Sequence, residues 1–173
     1  MYKYIHKVIF LAILGMILAS PANAFDKTAY RSLIESVAKE VVVGKFDNFD
    51  ATLSRLDEAV AIAKVAARER AVAVPGDAKL MEFSIAAPDA IKKTAVDKLE
   101  EEWGEGAKAF ERAGFKRGAA DQFKATDSYA DLLVHPMTAW VYLSAWRKTP
   151  SGVLLDQAKN ELVEVLEHLK HAN

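Results

Sequence analysis

Residues 126–146 read TDSYADLLVHPMTAWVYLSAW, and the fold turns on how this stretch is taken. It carries two of the three tryptophans and two of the five tyrosines in the chain. Beyond Pro136, the side chains of Met137, Trp140, Val141, Leu143, Ala145 and Trp146 are apolar on nearly every face of a helix. A helix of that kind is enclosed by other helices rather than laid on a surface. Its aromatic rings bring large buried areas and polar edges that need partners. The stretch is therefore placed at the centre of a helical bundle. Proline lacks an amide hydrogen and clashes with the carbonyl four residues before it. The pattern thus predicts two helical pieces, 128–134 and 136–148, kinked near His135, with the carbonyls near residues 131–132 set free.

The neighbouring segments supply the enclosing helices. After Thr149 and Pro150, a cap residue and a first-turn proline, Leu155, Ala158, Leu162, Val165 and Leu169 recur at steps of three and four. Upstream, Phe46, Phe49, Leu53, Leu56, Val60, Ala63 and Ala67 make a second such seam, running to about residue 71. Its acids come early and its bases late, as the helix dipole prefers. A first helix over 26–43 starts on Asp26 and ends at Gly44, with Tyr30, Leu33, Ile34, Val37 and Val41 on one face. A further helix opens at Pro88 and reaches Ala113 through Ile91, Ala95, Leu99, Trp103 and Phe110, interrupted by Gly104 and Gly106. A basic connector over 115–125 follows it. Residues 71–87 mix a Pro-Gly-Asp turn with alternating Met81, Phe83 and Ile85, which reads as a short hairpin or, equally, as a helix end, an ordered loop and one extra turn. The fold class is an all-α, antiparallel four- to five-helix bundle in a single domain over residues 25–173.

Ahead of that domain, Lys3 and Lys7 precede the apolar run VIFLAILGMIL at 8–18, and Ala22 and Ala24 form an A-x-A site. This is the pattern of a secretory signal peptide cut after Ala24, and the apolar run is well short of the ~20 residues that span a bilayer. Removing 24 of the 173 residues leaves 149, enough for one domain with a real core. The signal holds two lysines and no acid, so the remainder carries 21 Lys and Arg against 24 Asp and Glu, a net charge of about −3. That balance offers nothing to nucleic acid and no stable membrane insertion after cleavage. The chain has no cysteine, which excludes disulfides, thiolate metal ligands and thioether-linked haem. Export to the periplasm is the expected location.

Three groups of residues carry potential chemistry. His135, Met137 and Trp140 flank the proline. Imidazole and thioether are the ligands that hold haem iron without cysteine, and helical bundles are a setting for them. The plainer reading gives His135 a capping role and Met137 a place in the core. On the last helix, Glu164, His168 and His171 share a face and could hold a divalent transition metal, although cationic histidines also complement a helix C-terminus. Glu100, Glu101, Glu102 and Glu105 surround Trp103, and a run of glutamates is commonly a solvated face. No nucleophile elbow, zincin or phosphate-loop spacing occurs, so catalysis is not expected. The expected function is a non-enzymatic binding module. Its partner would be another exported or envelope protein, or a second copy joined through helix seams. The alternative is a bundle binding haem b or a transition metal through His135 and Met137.

Overall fold

The computed structural model describes residues 25–104, 107–116 and 125–172, and the signal-peptide segment lies outside them. Seven α-helices occur among the described residues, without a strand: α1 (Lys27–Val43), α2 (Phe49–Ala73), α3 (Ala78–Ile91), α4 (Leu99–Trp103), α5 (Lys108–Arg112), α6 (Ala125–Lys148) and α7 (Gly152–His171). The all-α class is what the apolar periodicity demanded.

Local chemistry sets the boundaries of the long helices. Asp26 caps α1 by accepting the Ala29 amide at 2.8 Å, and Gly44 closes it at φ 67°. Asn48 caps α2 in the same way through the Ala51 amide. The apolar stripe of α1, Tyr30, Ile34, Val37 and Val41, is fully buried. On α2 the buried stripe is broad and rich in small residues, from Leu56 through Ala59, Val60, Ala63 and Ala66 to Ala67. On α7 it is Ala158, Leu162, Val165 and Leu169, the heptad seam itself.

Cross-helix contacts give the topology. The Phe25 amide donates to Glu69, and Glu40 meets Thr52 and Arg55, so α1 and α2 run antiparallel. Arg70 reaches Thr126 at one end and Arg147 meets Asp50 at the other, which sets α2 against α6. His135 pairs with Glu161, and Ser128 with His168, so α6 and α7 are antiparallel. Lys27 donates to the Ala172 carbonyl, which returns α7 to α1 and closes an up-down-up-down four-helix ring. The helix α3 lies along both α2 and α6 outside that ring. Position α6 is central: it packs on α2, α3 and α7, and its side chains from Ser128 to Ala139 are all buried.

Several expectations about element boundaries are corrected. Residues 71–87 form neither hairpin nor loop. Instead α2 runs on to Ala73, a 3-10 turn takes Pro75–Asp77, and α3 follows. Pro88 does not open a helix but sits inside α3, where burial of Met81, Ala87 and Ile91 outweighs the one amide it lacks. The single helix expected from Pro88 to Ala113 is instead the end of α3, a 3-10 turn at Val96–Lys98, α4 and α5, and of the two glycines that interrupt the pattern Gly104 ends α4 at ψ −143°. Finally, α6 is one continuous helix through Pro136, starting at Ala125, and α7 starts at Gly152 rather than Pro150.

A polar cluster between the last two helices

Asp131 and His135 are one turn apart on α6, and Glu161, Glu164 and His168 follow one face of α7 at three- and four-residue steps. Because the two helices are antiparallel and in contact along their length, these five side chains converge. Asp131, His135, Glu161 and His168 are 2, 7, 7 and 5 % exposed, an unusual depth for four ionisable groups. Only Glu164 reaches solvent.

The geometry is specific. His135 Nδ1 lies 2.7 Å from Glu161 Oε2, and its Nε2 lies 3.4 Å from Glu164 Oε2 and 3.9 Å from Asp131 Oδ1. His168 Nε2 is 3.4 Å from Asp131 Oδ2, and its Nδ1 is 3.4 Å from Ser128 Oγ. The two imidazoles stack with centroids 5.3 Å apart and planes 13° from parallel. The Thr138 hydroxyl stands within reach of both Glu161 and the His135 carbonyl, and its single proton serves one at a time. Burial alone would lower the His135 pKa. The Glu161 hydrogen bond and the charges of Glu161, Asp131 and Glu164 outweigh it and push that pKa up to about 9. Glu164 is pushed up by partial burial against the pull of His135, with the other carboxylates adding to the rise.

Two overlapping sets have ligand atoms close enough to share one ion: Asp131 with His135 and His168, and His135 with Glu161 and Glu164. Ligands ~2.1 Å from a tetrahedral ion stand ~3.4 Å apart, the separation found between His168 and Asp131 and between His135 and Glu164. A cleft of about 200 Å³, bordered by Glu100, Tyr142, Gln157, Asn160, Glu161 and Glu164, opens the Glu164 side to water.

Of the residues singled out from sequence, His135, Glu164 and His168 come together here, while His171 stands in the last turn of α7, exposed and outside both sets. Met137 and Trp140 do not join His135, as the haem reading required. Met137 is a core residue facing a cleft between α2 and α3. Residues two apart on a helix point ~200° from each other, which is why these two part. Trp140 is half-buried and lines another cleft. Asp131 and Glu161 were missed, although the four-residue step to His135 and the three-residue step to Glu164 were there to be read. Around Trp103, Glu101 pairs with Lys98 and Lys108 and is held down at about 2, and Glu102 pairs with Arg112, so these belong to a solvated face. Glu105 lies outside the described residues. Compared with protein-family models, with curated proteins and with solved structures, the chain finds no match.

Proposed function

We propose that this chain is an exported helical bundle that binds one divalent transition-metal ion between α6 and α7. Asp131, His135 and His168 are the ligands, and Glu161 orients His135. The observation that carries this reading is the burial of two imidazoles among three carboxylates with ligand-like spacing. Buried charges of one sign are costly, and the imidazolium of His135 balances only part of them. A divalent cation would balance the rest. Imidazole with carboxylate suits zinc, manganese, iron, nickel or copper(II) rather than thiolate-seeking ions. The Nδ1 of His135 is committed to Glu161, which leaves Nε2 for the metal, the usual division in carboxylate–histidine pairs. The signal-like segment at residues 1–24 supports placing this binding in the periplasm.

Chelator-treated protein titrated with cobalt(II), zinc(II) and manganese(II) tests the proposal. Saturable one-to-one binding is expected, with cobalt d–d absorption that His168→Ala and Asp131→Asn each abolish. At a metal concentration ~100 times its Kd, the melting transition should rise by the equivalent of ~2.7 kcal/mol. Absence of one-to-one binding by all three ions would reduce the cluster to a proton-held clamp between two helices.

A further inference from the structure

A second cleft, of about 990 Å³, lies where the end of α6 meets the start of α7 and the turn after α3. That is the upper range of small-ligand sites. Its wall has two characters. Leu53, Val96, Trp140, Val141, Ala145 and Leu154 make an apolar trough, and Lys92, Arg147 and Lys148 stand around it. None of its lining residues is acidic, in a chain whose net charge is negative. Lys92 Nζ sits 4.5 Å over the Trp140 ring and pairs with Asp57, and Arg147 pairs with Asp50, so both cations are held in position. Lys148 has no carboxylate partner among the described residues.

Two more features belong to the same wall. Trp140 Nε1 and Ser144 Oγ, one turn apart on α6, are covered and make no hydrogen bond. A polar group in that condition has lost its water without gaining a partner.

We infer that this cleft binds a small organic anion with an apolar tail, the tail along Trp140, Val141 and Ala145 and the anionic head at Lys148 and Lys92. The inference is independent of the metal cluster, because no lining residue is shared with it. Apolar area supplies the attraction for the tail, and charge complementarity selects the sign of the head.

The test is isothermal titration of the full chain with decanoate, decanol and decyltrimethylammonium, each below its micellar concentration. One-to-one binding of decanoate is expected, with decanol weaker and the cationic amphiphile weakest. Lys148→Glu should weaken decanoate about tenfold, the loss of one charge-assisted contact. Ala145→Phe, which fills the trough, should abolish binding while His168→Ala leaves it unchanged. Circular dichroism would confirm that each variant is folded. Equal affinity for the anion and the cation would overturn the proposal. So would an absence of saturable decanoate binding, or full binding by folded Ala145→Phe.

Discussion

Tyr30 donates its hydroxyl to the Leu132 carbonyl at 2.7 Å, and Leu132 is four residues before Pro136. The carbonyl that proline orphans in the central helix is thus satisfied from α1, at full burial. This lets α6 continue through a proline without leaving a buried carbonyl unpaired. The ring that carries this hydroxyl is buried in the core and packs edge-on against Phe25.

Tyr30→Phe keeps the ring and removes only the donor, so it should destabilise the protein by about 1–3 kcal/mol. Restoring an amide with Pro136→Ala gives Leu132 an intrahelical donor, and the same tyrosine change should then cost less. A urea double-mutant cycle reads the coupling, expected at about 0.5–3 kcal/mol. Strictly additive costs would mean that the two residues do not serve one carbonyl.

Gly44 ends α1 in the left-handed region at φ 67°, with its amide bonded back to Val41. A Cβ there would meet Leu155 at an ordinary 3.5 Å, so space is not the obstacle. Backbone strain is. Gly44→Ala should lower stability by about 1–2 kcal/mol, and Gly44→Asn, which tolerates this conformation, by less. Equal losses for the two variants in thermal melts would count against the conformational argument.

The long helices were legible because their signals are local: Asp26 and Gly44 bracket α1, and the seam from Ala158 to Leu169 has one period throughout. Residues 71–87 were not, because Pro75 and Gly76 look like a hairpin turn. Only the burial of Met81 and Ser84 against α2 and α6 decides for a helix. In the candidate site the residue types on α7 gave Glu164 and His168, but Asp131 sits in an apolar run and Glu161 beside the seam residue Leu162. Which faces of α6 and α7 meet is a tertiary fact, and it alone turns these two acids inward.

In metal-free protein, pH should act through His135. Burial lowers its pKa, but Glu161, Asp131 and Glu164 hold it up at about 9, above the ~6.5 of an unfolded chain. A raised folded pKa means that this contribution to stability is full below about pH 6.5 and fades as pH climbs through about 9. Urea midpoints measured in chelator at pH 6.5, 8 and 9.5 should fall in that order. His135→Gln should flatten the trend, and an unchanged slope in that variant would assign it to other groups.

Glu161 and Asp131 both face His135, yet they are given different parts: Glu161 holds Nδ1 at 2.7 Å, and Asp131 stands between the Nε2 atoms of both histidines. Glu161→Gln should therefore lower metal affinity by about 10–100-fold, the loss of an orienting partner. Asp131→Asn removes a ligand and should lower it further. Their order reverses in the metal-free protein. There Glu161→Gln deprives a buried imidazolium of its nearest counter-charge and should cost about 3–5 kcal/mol, the penalty for breaking one side of a buried pair. Competition against a chromophoric chelator gives the affinities, and urea unfolding gives the stabilities. If Glu161→Gln weakens metal binding as severely as Asp131→Asn, Glu161 is itself a ligand. The ion would then be held by His135, Glu161 and Glu164, at the head of the cleft that Tyr142 borders.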